Sequence, residues 1–316
     1  MWKPLAVALT VFAVPALAKP PEVVVSIRPL HSLVAGVMQG LAEPKLLVQG
    51  NASPHTFSLR PSDARLLAEA GLVVMVDDGL EGFLAKPLAT LAGKAEVVEM
   101  STLPGITLLA RREGGVWEKH AHDQQEEHEE EHDEGPDHDD HDHDGHDPHL
   151  WLDPANARVL VEAVAAKLAK MDPANAATYA ANADKYLASL DGLDATLHGR
   201  LAPVKGVPYV VFHDAYQYFE HRYGLSAAGS VTLDPERPPS ANRLAQLRDR
   251  LKAAKVRCVF REPQFPAAVV QRLADSAGAR VAMLDPLGSE LPAGPAQYTA
   301  LLGQLGGNLS QCLSGK

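Results

Sequence analysis

Short continuous apolar runs alternate along the chain with segments whose apolar residues recur every three or four positions. The runs predict buried strands and the recurring positions predict amphipathic helices. The predicted strands cover residues 23–27, 45–48, 72–76, 96–100, 208–212, 225–233, 256–260 and 280–284. The predicted helices cover residues 30–41, 61–70, 80–91, 154–171, 173–200, 216–223, 240–254, 266–277 and 295–313. Strands alternating with helices predict parallel sheets covered on both faces, and the pattern occurs twice.

A long helix is predicted between the two repeats of this pattern. Asp172 is a suitable N-cap and Pro173 a suitable first residue, and apolar residues continue at helical spacing as far as Leu197. A helix from Pro173 to Arg200 would be roughly 40 Å long at 1.5 Å per residue. We therefore expect an α/β protein of two sheet domains joined by this long helix.

The start of the chain has the pattern of an export signal. Lys3 precedes an apolar run over residues 5–14, and Ala16-Leu17-Ala18 matches a small-residue cleavage site. The run is too short to span a bilayer, and no cysteine lies nearby to carry a lipid. Residues 1–18 are thus predicted to be a signal peptide cleaved near Ala18, which leaves an exported, soluble protein.

The most unusual composition lies in residues 118–149, which contain nine histidines, fifteen acidic residues and one lysine. Burying so many charges would cost more than folding returns, so this segment is predicted to be a mobile, solvated loop. Imidazole and carboxylate groups bind zinc and similar metal ions, whereas a merely solubilising linker does not need histidine. The loop histidines predicted to form auxiliary metal sites are His120, His122, His128, His132, His138, His141, His143 and His146.

The charge distribution argues against nucleic-acid binding, and the two cysteines are candidates for a disulfide. The net charge of −11 comes from the acidic loop, and no basic cluster resembles a nucleic-acid-binding surface. The chain has two cysteines, Cys258 and Cys312. In an exported protein, two isolated cysteines favour one disulfide. A redox-active or metal-binding pair is a weaker alternative, because the two residues lack C-x-x-C spacing.

Four further residues are candidates for a metal site between the two domains. His55 follows a predicted strand, His213 and Asp285 each end one, and His149 precedes the helices that join the domains. In open α/β sheets, ligands bind outside the carboxyl ends of the strands, so these four residues could face one cleft. Three imidazoles and one carboxylate would form a tetrahedral zinc shell.

Five motifs carry a resemblance to a known family. They are SIRPLH at residues 26–31, PHTFSLRPSD at 54–63, HLWLDP at 149–154, FHDAYQYF at 212–219 and LDPLG at 284–288. Together they resemble the ZnuA family, the periplasmic zinc-binding proteins of bacterial zinc-uptake ABC transporters. The resemblance implies an α/β fold of two Rossmann-like sheet domains joined by a long rigid helix. It also implies metal in the cleft between them, bound by His55, His149 and His213, with Asp285 as a candidate fourth ligand. It also implies a Cys258–Cys312 disulfide.

The resemblance also implies partners and a metal. The partners are an inner-membrane permease and its ATPase, and the protein is expected to act as a periplasmic monomer. Some relatives have an acidic residue where Pro54 stands here, which leaves Asp285 or water as fourth ligand. Manganese-binding relatives carry a carboxylate in place of His213, so Zn²⁺ is the expected cargo, with a manganese-binding relative as the alternative.

The predicted organisation divides the chain at several boundaries. After the signal peptide come an N-terminal domain (19–117), the His-rich loop (118–148), the end of the N-terminal domain (149–172), the linking helix (173–200) and a C-terminal domain (201–316). A metallohydrolase is not expected: residues 141–146 match a metallo-β-lactamase run only superficially, and no H-E-x-x-H occurs. A periplasmic zinc buffer or chaperone without a transporter stays open as an alternative function.

Overall fold

Two four-stranded sheets with the same strand order form the framework of the protein. The computed structural model describes residues 19–112, 145–232 and 239–315. All neighbouring strands are parallel, in the orders β2-β1-β3-β4 and β6-β5-β7-β8. The strands are β1 (Val23–Val25), β2 (Lys45–Leu46), β3 (Leu72–Met75), β4 (Glu96–Glu99), β5 (Tyr209–His213), β6 (Ser230–Thr232), β7 (Cys258–Arg261) and β8 (Arg280–Met283). The two predicted parallel-sheet halves are thus confirmed.

Helices cover both sheets, which explains why the central strands are apolar on both faces. The residues of β1, β3 and β5 are all buried. The helices are α1 (Arg28–Val37), α2 (Pro61–Glu69), α3 (Ala85–Thr90), α4 (Pro154–Met171), α5 (Ala176–Leu201), α6 (Gln217–Tyr223), α7 (Ala241–Ala253), α8 (Ala268–Ala277) and α9 (Gln297–Ser314). In the part of the chain that the structure describes, none of them is long and apolar enough to cross a membrane.

Each sheet has a switch point beside its central strand. The chain goes from β1 to β2 on one side and then crosses to β3 on the other, and β5, β6 and β7 repeat this path. Loops that leave the carboxyl ends of such strands diverge and open a crevice, where α/β proteins bind their ligands. The topology therefore provides two crevices, one from each sheet.

The long helix α5 holds the two halves together. It has 26 residues, extended at either end by 3-10 turns at Pro173–Asn175 and Ala202–Val204. It packs against α1 and α4, which come from the first half of the chain, and against α9, which comes from the second. The hydroxyl of Tyr186 donates to the carbonyl of Pro295 at 2.9 Å and lies 3.3 Å from the hydroxyl of Ser32. One side chain of α5 thus contacts both halves.

Two local predictions are wrong. The helix expected over residues 80–91 is a 3-10 turn at Gly82–Leu84 followed by the short α3. Asp172 does not cap the long helix, because its carboxylate accepts hydrogen bonds from the side chains of Tyr179 at 3.0 Å and Asn175 at 2.7 Å. Side-chain partners that the sequence pattern does not show compete successfully for this carboxylate.

Two other helices begin with a side-chain N-cap. The side chain of Asp153 accepts the main-chain N–H of Ala155 at the start of α4, and that of Ser240 accepts the N–H of Arg243 at the start of α7. The disulfide between Cys258 and Cys312 is present and ties β7 to α9. The predicted signal peptide and residues 113–144, which include most of the His-rich loop, lie outside the described residues.

Candidate metal centre

Three imidazoles meet where the carboxyl ends of the two sheets face each other. One potential ligand nitrogen from each of His55, His149 and His213 lies within 4.8 Å of the other two. The distances between the ring centroids are 5.1 to 5.7 Å. Within residues 19–112, 145–232 and 239–315, this is the one such group of three or more potential ligands.

His213 is held by the second sheet. It is the last residue of β5, the strand beside the switch point, and its side chain is buried. The rings of His213 and Phe265 lie edge to face at a centroid distance of 6.3 Å, and Phe265 stacks on Phe212. The main chain at His213 is held by the pairing of this residue with Thr232 of β6.

His149 is held by the segment that leads into α4. The 3-10 turn Leu150–Leu152 follows it directly, and the three side chains of that turn are buried. The indole N–H of Trp151 donates to the carbonyl of Pro286 at 2.8 Å. This bond fixes the His149 segment to the loop after β8, in the other half of the protein.

His55 is held less firmly. It lies in the loop between β2 and α2 and is half-buried, and its main-chain N–H donates to the hydroxyl of Ser53 at 3.3 Å. Its ring makes no hydrogen bond to any residue that the structure describes. Together with His149, His213, Trp151, Phe265 and Leu287, it lines a small recess between the two halves.

Carboxylates orient the two more buried imidazoles. Asp147 Oδ1 lies 2.7 Å from Nδ1 of His149 and also accepts the main-chain N–H of that residue at 3.0 Å. The two carboxylate oxygens of Glu262 lie 2.7 and 2.8 Å from Nδ1 of His213. A carboxylate acceptor favours the proton on Nδ1, so the free lone pair is on Nε2, and the two Nε2 atoms face each other at 3.2 Å.

Burial and neighbouring charges together set the protonation of the three rings. It lowers the pKa of His55 and that of His149 well below 6.5, and the charges of neighbouring groups act in the same direction. Burial also acts to lower the pKa of His213, but the Glu262 carboxylate outweighs it and the pKa is raised. Burial raises the pKa of Asp147 to about 7. Neutral imidazoles are the form that binds a metal ion.

The structure does not bring Asp285 into the group of three histidines. Its Oδ1 accepts from the side chain of Gln264 at 2.8 Å and the main-chain N–H of Leu287 at 3.0 Å. Its Oδ2 accepts the main-chain N–H of Ser289 at 2.6 Å and the hydroxyl at 2.7 Å. Both oxygens thus stabilise the turn after β8, beside the recess.

Asp147 and Glu262 were missed by the sequence reasoning. Asp147 is hidden among the fifteen acidic residues of the His-rich segment, so composition could not single it out. Glu262 follows β7 directly, and the strand-end rule that selected His213 and Asp285 could have found it.

His146 is the one predicted auxiliary ligand of the His-rich segment within the described residues. Its Nε2 lies 2.8 Å from Oδ2 of Asp77, and it pairs with Ala110 in an isolated antiparallel bridge. It belongs to a short antiparallel pairing of residues 109–112 with residues 145–147, which we call the stem. It does not belong to the group of three histidines. The other seven predicted auxiliary ligands lie outside the described residues: His120, His122, His128, His132, His138, His141 and His143.

The stem is attached to the second half of the protein. Arg112 forms ion pairs with Asp214, the neighbour of His213, and with Glu220 at 2.6 Å. The hydroxyl of Tyr218 accepts the N–H of Leu109 at 3.0 Å and donates to the carbonyl of Asp147 at 2.8 Å. The main chain up to residue 112 and from residue 145 onward is therefore held close to the residues around His149 and His213.

Comparisons with known proteins agree with this architecture. The family model "ZnuA: Zinc-uptake complex component A periplasmic" matches residues 23–312. The high-affinity zinc uptake system protein ZnuA of Brucella suis biovar 1 (strain 1330) is 46% identical over 305 residues, which are 92% of this chain and 91% of that relative.

Solved structures give the same likeness. A crystal structure of ZnuA superposes with a TM-score of 0.76 at 27% identity and covers 93% of this chain and 99% of its own. A zinc-bound deletion mutant of ZnuA superposes with a TM-score of 0.71 at 26% identity and covers 93% of this chain and 98% of its own.

Proposed function

The chain belongs to the ZnuA family of periplasmic zinc-uptake components, and from this premise we propose that it captures Zn²⁺ and delivers it to an ABC-type permease. His55, His149 and His213 are the proposed ligands. The observation that carries the proposal is the convergence of these three imidazoles within 4.8 Å, from three separate segments of the chain. Three nitrogen donors suit zinc, which binds histidine in four-coordinate sites.

The donor set also supports zinc over manganese. Manganese prefers carboxylate and water oxygens, whereas imidazole suits zinc, copper and nickel. The three groups that converge are all imidazoles, and the nearby carboxylates of Asp147 and Glu262 bind ring nitrogens. A water molecule or Asp285 completes the proposed shell. Asp285 could do so only by giving up hydrogen bonds within its own turn.

The family is one of solute-binding transport proteins, and the proposed role is transport without catalysis. Its partners are a membrane permease and an ATPase, and its location is the periplasm, reached through a signal peptide at residues 1–18. We also propose that it acts as a monomer. In the described part of the chain, three large apolar side chains are more than a third exposed, those of Leu91, Val97 and Leu108, which supports this state.

Two measurements test the proposed function. Purified protein is titrated with Zn²⁺ in competition with a chromophoric chelator, and the expected result is one ion bound much more tightly than any other. The gene is then deleted in the source bacterium, which should grow poorly when zinc is chelated and recover on added zinc or on expression of the intact chain.

The growth test needs a matched control. A His55→Ala/His149→Ala/His213→Ala variant, exported at the same level, should fail to restore growth. Full rescue by this variant would contradict the proposal. Normal growth of the deletion strain despite tight binding in vitro would instead indicate a zinc buffer.

A further inference from the structure

Two of the three imidazoles at the proposed metal site contact a buried carboxylate, and in both cases the contact is made by the ring atom Nδ1. Asp147 contacts Nδ1 of His149 and Glu262 contacts Nδ1 of His213, each at 2.7 Å. The two carboxylates come from unrelated parts of the fold: Asp147 precedes the turn that leads into α4, and Glu262 follows β7. The same contact thus arises twice, from different elements.

Among the described residues, neither carboxylate forms a direct ion pair with a basic side chain other than its imidazole, and the charges of Arg111 and Arg112 act on Asp147 only from a greater distance. In the described part of the chain, no lysine or arginine lies within ion-pair distance of Asp147 or Glu262, and Arg112 instead pairs with Asp214 and Glu220. Asp147 is 3% exposed and Glu262 is 1% exposed. Burying an uncompensated carboxylate is costly, so these residues are a poor choice if their role is only to stabilise the fold.

A divalent ion between the imidazoles would change this balance. Three neutral imidazoles with Zn²⁺ carry a charge of two, and the two carboxylates supply the same charge of opposite sign through the rings. Each carboxylate also holds its ring by an Nδ1–H bond, which directs the Nε2 lone pair toward the ion. His55 has no such support, since its ring makes no hydrogen bond within the described residues.

We infer that Asp147 and Glu262 are positioning residues for the zinc site, which fix the tautomer and orientation of His149 and His213 and balance the charge of the bound ion. The inference rests on the proposed function. It concerns two residues that do not themselves touch the metal, and it predicts that their charge is needed for affinity while the fold does not need it.

Carboxamide substitutions test the inference, because they keep the shape and the acceptor oxygen and remove the charge. Asp147→Asn and Glu262→Gln are each expected to weaken zinc binding by about 10- to 100-fold. Asp172→Asn is the matched control: Asp172 is also buried and hydrogen-bonded, but its partners are Tyr179 and Asn175 and no imidazole. This control is expected to bind zinc like the unmodified protein.

Two further readouts separate positioning from a merely structural role. Without metal, and at a pH high enough for His213 to be neutral, the melting temperatures of Asp147→Asn and Glu262→Gln should equal or exceed that of the unmodified protein, while the rise in melting temperature on adding zinc should shrink. With Co²⁺ as a probe, the visible absorption band at saturation should shift in both variants and stay unchanged in Asp172→Asn.

The outcomes distinguish this inference from the proposed function. If the unmodified protein failed to bind zinc tightly, the proposed function itself would fall. If it bound zinc tightly and both carboxamide variants matched it within twofold, the inference alone would be overturned. An equal loss in Asp172→Asn would also overturn it. Because the two substitutions act on different histidines, each gives an answer even if the other variant does not fold.

Discussion

The Nε2 atoms of His149 and His213 face each other at a distance of 3.2 Å. Two nitrogens bound to one tetrahedral zinc ion at about 2.0–2.1 Å would lie about 3.3 Å apart. The two rings are therefore already spaced as two corners of a zinc shell. Because a carboxylate holds each ring, these two side chains lose little conformational freedom when the ion binds.

Removal of any one imidazole is expected to weaken the tight site sharply. His55→Ala, His149→Ala and His213→Ala each take one strong donor from the proposed shell, and zinc affinity measured by chelator competition should fall by orders of magnitude. The matched control is His221→Ala, because His221 is exposed on α6 and outside the group. A histidine variant that kept tight one-to-one binding would show that its residue is not a ligand.

Asp285→Ala should have a smaller effect on zinc affinity and a larger one on stability. Its two oxygens accept hydrogen bonds from Gln264, Leu287 and Ser289, so truncation leaves buried donors without partners. Lost partners of this kind cost about 1–3 kcal/mol each. Chemical denaturation and chelator competition on the same sample would measure both effects. A loss of affinity equal to that of the histidine variants would identify Asp285 as a direct ligand.

Much of the fold could be predicted because its signals are local. The apolar runs of β1, β3 and β5 are continuous since helices cover both faces, and Asp153 and Ser240 cap their helices as their residue types indicate. The N-cap prediction is wrong at Asp172, because the side chains of Tyr179 and Asn175 donate hydrogen bonds to its carboxylate. Competition among side chains depends on tertiary contacts, which a linear pattern does not record.

The site could be predicted in part for a similar reason. The carboxyl ends of strands share one edge of a sheet, so His213 could be located from the strand pattern alone. The pattern could not reveal that the Asp285 side chain turns toward Ser289, because that depends on the conformation of the following loop. Nor could it reveal which of many acidic residues supports His149, because the contact with Asp147 depends on the shape of a two-residue turn.

Zinc affinity should fall as the pH is lowered through neutrality. The pKa of His213 is raised above 6.5, so at pH 6.5 and below most zinc-free molecules hold a proton on this ring, which the ion must displace. The pKa values of His55 and His149 are well below 6.5, so these two rings are already neutral. The fall should therefore begin above pH 6.5, with about one proton displaced per ion.

A second proton should be displaced near pH 7, because burial raises the pKa of Asp147 to about 7 and a bound cation favours its ionised form. Calorimetry in buffers of different ionisation enthalpy counts the protons released, and chelator competition from pH 5.5 to 8.5 gives the affinity. Equal affinity at pH 5.5 and pH 7.5 would rule out a site made of histidines.

Loss of the disulfide is expected to lower stability and leave the metal site intact. Cys258 and Cys312 are separated by 54 residues and join β7 to α9. Closing a loop of that length is worth about 4 kcal/mol by chain-entropy arithmetic. A Cys258→Ala/Cys312→Ala variant should lose about that much in denaturant unfolding while zinc affinity stays the same. Labelling of the native protein should find no reactive thiol, and two labelled thiols would contradict the bond.

Deletion of most of the His-rich segment should reduce the number of zinc ions bound at saturation and keep the tight site. Removing residues 119–144 spares Gly145, whose carbonyl accepts the N–H of Arg111, and spares the contact between His146 and Asp77. It also leaves all four predicted cleft residues in place. The stem should therefore stay folded, and calorimetry should show one tight ion with fewer weak ones.

A second variant separates the imidazoles from the length of the segment. It keeps all residues but replaces the seven histidines of residues 119–144 by asparagine. If these histidines bind zinc, this variant should match the deletion in stoichiometry, because each site is lost with its nitrogen donors. If instead it bound as many ions as the intact chain, the carboxylates alone would account for the extra zinc. An unchanged stoichiometry in the deletion as well would make the segment a spacer.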